Sequence, residues 1–238
     1  MFAYHNDPLI KRELVLRLRN DAKLDRIVHG QYWENGKGCA VGCIIRGSDH
    51  AEFEPEYGIP QSIARLLDAT FEGLANGQAQ KLPVDFAVSI PVGADLSKVT
   101  AQFLVWCLLD RKHGAIRQAP KDKFADCHNA ILAAAAVWSE YRKTGFIDKM
   151  AARSASLAAS SAAYSASSAS LAASLAADSA SSAARSAARS ASLAAYSAAR
   201  SASLAADSAA YSASSAYSAF WKAAAATLLK LLAKAPIR

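Results

Sequence analysis

PQSIARLLDATFEGL, residues 60–74, carries Ile63, Leu66, Leu67, Phe71 and Leu74 at offsets of 0, 3, 4, 8 and 11. At 3.6 residues per turn these five fall on one face, and Pro60 is a favoured helix start. The same period extends outward in both directions. Upstream, Asn6 or Asp7 before Pro8 reads as a second start, with Leu9, Ile10, Leu14 and Leu18 behind it. Leu24, Ile27 and Val28 then extend or restart that helix before Gly30. Downstream, a helix is predicted from about Ser97 with Val99, Phe103, Trp106 and Leu109. Another follows Pro120 with Phe124, Cys127, Ile131, Leu132, Trp138 and Tyr141, stopping at Gly145. Strand alternation is weak throughout, so the expected class is all-α: a mostly helical globular domain with a Gly-rich loop segment, then a long Ala/Ser-rich repeat helix.

Composition divides the chain. Of its 238 residues, the 68 from 151 to 218 hold 30 Ala and 23 Ser, which bury too little apolar area to form an ordinary core. The expected domains are therefore a globular domain at 1–146, a repeat helix at 147–218 and an amphipathic cationic helix at 219–238. Up to residue 150 there are 19 basic and 18 acidic residues; beyond it there are 8 and 2, so nearly all of the net +7 sits in the tail. The opening MFAYHNDPLIKRELVLRLRN lacks the pattern of a secretory signal. Four sparse cysteines argue against a disulfide scaffold, which favours a cytoplasmic compartment.

Residues 30–60, GQYWENGKGCAVGCIIRGSDHAEFEPEYGIP, carry the unusual chemistry. Cys39 and Cys43 are four apart, on one face if this turn is helical. One reading makes both thiols small buried hydrophobes, with the glycines allowing close packing. A second makes Cys39 a nucleophile at a helix start, His50 or His29 its base, and the amides from Gly38 to Gly42 the oxyanion stabilisers. C-x3-C followed by Asp49 and His50 does not match the usual zinc spacings, so neither metal nor cofactor is expected. Cys107, Cys127, His113 and His128 read as structural.

KGCAVGC (37–43) and IPVGADLSKV (90–99) resemble phrases of an uncharacterised group of bacterial and phage-encoded proteins, some with Ser/Ala-rich tails. The resemblance spans about residues 7–110 and implies no activity.

SASLAAYSAAR (190–200) and SASLAADSAAY (201–211) are tandem 11-residue repeats. On a helix the non-Ala, non-Ser positions make one interaction stripe. It begins with Leu157, Tyr164, Leu171, Leu175, Arg185 and Arg189, and continues through Leu193, Tyr196, Arg200, Leu204, Asp207 and Tyr211. An uninterrupted 11-residue period favours a right-handed supercoil, and the three extra residues Ser165, Ala166 and Ser167 turn the stripe back; the rod is expected to self-associate, or to fold back as a hairpin, through this stripe. The row Ser190, Ala194, Ala198, Ser201, Ala205, Ala209, Ser212 is similar to the Thr/Ala row of Ala-rich helical fish antifreeze proteins. Ser lacks the methyl group of Thr, so an ice-binding surface is only a minor alternative.

Phe220, Trp221, Leu228, Leu231 and Leu232 share one half of the C-terminal helix, opposite Lys222, Lys230 and Lys234. That helix is expected to dock on protein or, alternatively, on an anionic membrane surface. The basic residues are too spread for nucleic acid. The expected function is a binding or structural protein whose helical domain is displayed or oligomerised by the repeat. The alternative is a thiol-dependent enzyme or thiol sensor centred on Cys39 and Cys43.

Overall fold

The computed structural model describes residues 2–146 and 214–237. The repeat and its interaction stripe lie outside the described residues. Among the described residues the protein is helical, with isolated backbone bridges in place of strands. No helix among them is long and apolar enough to cross a membrane. The chain divides into one unit of Met1–Val99 with Ala224–Arg238, and a second of Thr100–Ala223.

In the first unit, α1 (Pro8–Lys23) opens as its sequence dictates: Asp7 caps it by accepting from the Leu9 N–H at 2.7 Å, and Pro8 fills the first position. It buries Leu14, Val15, Leu18 and Asp21. Leu9 and Leu16 lie off that face, 57% and 54% exposed, so the apolar spacing from Leu9 did not define the buried side. Ile27 and Val28 do not continue the helix. Ile27 forms a parallel bridge with Gly38, and Val28 N–H donates to the Gly38 carbonyl at 2.9 Å.

Three helices add to those the apolar periods picked out: α2 (Ala40–Ile45), where the sequence left a helical turn open, α3 (Phe53–Tyr57) and, further on, α6 (Leu82–Ser89). Between them, α4 (Gln61–Gly73) buries Ile63, Leu66, Leu67 and Phe71, and the short α5 (Asn76–Ala79) leads into α6. Helix α1 packs on α6 and α2, and α2 packs in turn on α4 and α6. Lys11 of α1 donates to the Val88 and Ile90 carbonyls at 2.8 and 2.6 Å, satisfying the open end of α6.

The start of the chain is a left-handed turn, with φ of 56°, 52° and 63° at Tyr4, His5 and Asn6. Such a turn costs about 1–2 kcal/mol per non-glycine residue. It is held by the buried Tyr4 hydroxyl donating to Ala87 O at 2.7 Å and by Ala3 N–H donating to Ala94 O at 3.0 Å. Ala94 also bridges to Ile237, and Asp95 N–H donates to Pro236 O at 2.8 Å. Both ends of the chain therefore meet at residues 93–95.

The second unit comprises α7 (Val99–Leu109), a 3-10 turn at Ala115–Gln118, α8 (Ala125–Thr144) and the first half of α9 (Ser214–Ala233). Helix α8 starts later than Pro120, because residues 120–124 form a turn closed by Phe124 N–H on the Pro120 carbonyl at 2.9 Å. Gly145, at φ 72°, ends it as expected. Cys107, Cys127 and Trp138 are buried, and His128 Nδ1 lies 2.8 Å from the Ala119 carbonyl. Trp106 stacks on Phe220 at 6.0 Å. Along α9, Phe220, Trp221, Leu228 and Leu232 are buried, Leu231 is only half-buried, and Lys222, Lys230 and, just past its end, Lys234 are exposed.

One buried charge joins α1 to α2. Asp21 is fully buried, its carboxylate 2.8 Å from Arg46 and 3.5 Å from Arg26. Arg17 donates to the Ile44 carbonyl and, at 2.7 Å, to the Tyr57 hydroxyl. Removing the carboxylate takes away the 2.8 Å partner of Arg46, itself partly solvated, so Asp21→Ala is expected to cost about 1.5–3 kcal/mol in urea denaturation. Asp21→Asn should cost less, since it keeps an acceptor for Arg46.

Candidate functional site

Residues 24–39 fold back so that Cys39 becomes the cap of α2. A two-residue turn at Asn35 and Gly36, with φ of 51° and 76°, is closed by paired hydrogen bonds between Glu34 and Lys37 at 2.8 and 3.0 Å. Gly38 N–H then donates to the Arg26 carbonyl at 2.9 Å, and Cys39 N–H to the Gln31 carbonyl at 2.7 Å. The Tyr32 carbonyl lies directly against Gly38 and Gly42, where a Cβ on either residue would overlap it. The glycines of KGCAVGC thus serve close backbone approach. The Cys39 sulfur accepts from the Gly42 N–H at 3.5 Å.

The two cysteines part company. Cys43 is wholly buried and directs its thiol to the carbonyls of Gly38 at 3.3 Å and Arg26 at 3.8 Å. Cys39 is also buried, yet it lines a cleft of about 210 Å³ with Gly30, Gln31, Tyr32, Asp68 and Glu72. Its thiol faces Asp68 Oδ1 at 3.8 Å. Asp68 Oδ2 is 3.2 Å from His50 Nε2 and accepts from the Tyr32 hydroxyl at 3.2 Å. The Tyr32 and His50 rings meet edge to face, with centroids 5.5 Å apart. One helical turn further along α4, both Glu72 oxygens lie 3.3 Å from the Gly30 N–H.

His50 is thus brought to the cleft, through Asp68 rather than through the sulfur. His29 is not among the residues lining this cleft; it lines a separate cavity with Ile27, Val28, Ala79 and Gln80, its Nε2 3.0 Å from the Phe71 carbonyl and its ring against Phe71. The amides of Gly38 and Cys39 are spent on carbonyls and that of Gly42 on the sulfur itself, so these three do not face an oxyanion. Tyr32, Asp68 and Glu72 escaped the sequence reading. Their signal was present: Asp68 and Glu72 form an i, i+4 pair of like charges, each one residue past a buried position of α4, an arrangement unfavourable for a helix.

Burial pushes the Cys39 thiol up to about 12; the Gly42 and Val41 amides oppose this, and Asp68 and Glu72 add to it. Burial likewise raises Glu72, against the Gly30 N–H and His29. Cys39 is therefore a thiol at neutral pH, not a resting thiolate. Because folding raises its pKa, the neutral thiol stabilises the folded state fully below about pH 8.5. That contribution is lost as pH rises toward 12.

Iodoacetamide is accordingly expected to label Cys39 slowly in the native protein, with no inflection below about pH 8.5. The fall in urea midpoint over the alkaline range should be shallower in Cys39→Ala. Gly42→Ala should cost about 1–3 kcal/mol by driving the Tyr32 carbonyl off α2, read from the same denaturation curves.

No family model, curated protein or solved structure matches the chain.

Proposed function

We propose that the unit built on residues 1–99 is a binding module whose cleft takes a positively charged ligand. The observation that carries this reading is the donor set: Cys39 Sγ, an Asp68 oxygen and a Glu72 oxygen lie within 4.8 Å of one another. The residues lining the cleft include two carboxylates and neither Lys nor Arg. Two carboxylates one turn apart repel each other, and a bound cation relieves that repulsion.

Thermal unfolding of the full chain with Mn²⁺, Zn²⁺, arginine amide or spermidine tests the reading. At least one of these should raise the midpoint in wild type and fail to do so in Asp68→Asn and Glu72→Gln. If none of the four shifts it, the reading falls.

Thiol chemistry at Cys39 is the second reading, favoured by the Gly42 N–H on the sulfur. It requires a ligand that lowers the thiol pKa on binding, because the resting group is protonated.

Display through self-association of the repeat completes the proposal, and it is supported by the stripe in the sequence. Truncation at residue 150 is a poor test, since Pro236 and Ile237 pair with Asp95 and Ala94. Internal deletion of residues 151–211 keeps that pairing and should lower the oligomer mass by light scattering. An unchanged mass rules out the repeat as the assembly element.

A further inference from the structure

We infer that the cation is a thiophilic divalent metal ion of the zinc class, coordinated by Cys39 Sγ, Asp68 and Glu72 at the cleft between α4 and the start of α2. This rests on the cation-binding reading above and names its ligand. The donors come from two separate parts of the chain, the cap of α2 and successive turns of α4, so the fold assembles them rather than local spacing.

The chemistry of the set selects the ion. Mg²⁺ and Ca²⁺ take oxygen donors, whereas a sulfur beside carboxylates suits zinc and its congeners. Tetrahedral zinc, with bonds of about 2.0–2.3 Å, spaces its donors roughly 3.5 Å apart. The present group spans up to 4.8 Å, so closure asks for about 1 Å of side-chain movement. Cys39 is only 1% exposed, lines the cleft and directs its thiol to Asp68 Oδ1 at 3.8 Å, so the sulfur already faces one of its partner ligands. On binding, the S–H bond breaks, the sulfur pair becomes a metal bond, and the proton leaves to solvent.

Each ligand is already oriented from behind. Asp68 is held through Oδ2 by His50 and Tyr32, which leaves Oδ1 toward Cys39. Glu72 is held by the Gly30 N–H. His50 is a positioning residue, acting on the ion through Asp68. Three protein ligands leave a fourth tetrahedral position open to the cleft.

The test is titration of the reduced, chelator-treated full-length protein with Cd²⁺ and Co²⁺, followed by thiolate-to-metal charge-transfer absorption. One equivalent should saturate the band. Cys39→Ser should abolish it and Cys43→Ser should retain it. Glu72→Gln, on an exposed side chain that keeps an acceptor for the Gly30 N–H, should weaken binding at least about tenfold with unchanged circular dichroism. His50→Gln should keep the band and weaken binding about 10–100-fold.

No band, or a band that survives Cys39→Ser, overturns the metal assignment. If the band is absent while arginine amide or spermidine still stabilises wild type but not Asp68→Asn, the metal assignment fails and the cationic-ligand reading stands. If no cation binds at all, both fall.

Discussion

The approach of the Tyr32 carbonyl to Gly38 and Gly42 is the constraint on which the site depends. It presses the loop of residues 24–38 against α2, fixes Cys39 as the cap and brings the Tyr32 hydroxyl over Asp68. A side chain at either glycine would hold the loop away and separate the sulfur from the carboxylates. Backbone contact at this range has no redundancy: a large side chain can choose another rotamer, but a backbone carbonyl packed against a helix cannot.

A second constraint acts at the other end of α2. Arg46 sits in a left-handed conformation at φ 54°, with its guanidinium 4.0 Å over the Trp33 ring and one nitrogen on Asp21. The same six-residue helix therefore ends on a buried ion pair and begins on a buried thiol. Trp33 follows Tyr32 in the loop, so the Arg46 stacking and the glycine contact hold one strip of chain from both sides. Rigidity at the site comes from this double attachment, since α2 alone is too short to hold its shape in water.

Much of the helical character was legible, because Ile63, Leu66, Leu67 and Phe71 repeat at the helical period and are buried as that period requires. Where apolar residues were merely frequent, the reading slipped. Leu9, Leu16 and Leu132 are exposed although each belongs to an apolar run. Helices α2 and α3 were hidden by glycine and proline, and tertiary packing rather than propensity makes them. For the site, the cysteines and His50 were visible as unusual residue types. Asp68 and Glu72 lie 29 and 33 residues beyond Cys39 inside an amphipathic pattern, and the packing of α2 on α4 brings them to it. Local spacing could exclude a local metal motif; it had no means of reporting donors that meet only through tertiary packing.

The meeting of residues 93–95 with both chain ends also bears on how the gene can change. The unit that carries the cleft is discontinuous in sequence, finished by a segment encoded after the repeat. Near-identical 11-residue units are prone to unequal recombination, which adds or removes whole copies in frame. Any such event falls between residues 146 and 214 and leaves the residues of the Ala94–Ile237 bridge untouched. A frameshift or stop inside the repeat, in contrast, removes the segment that pairs with Ala94 and Asp95. The unit that holds the cleft is therefore completed only when the repeat is read through in frame, whatever its copy number.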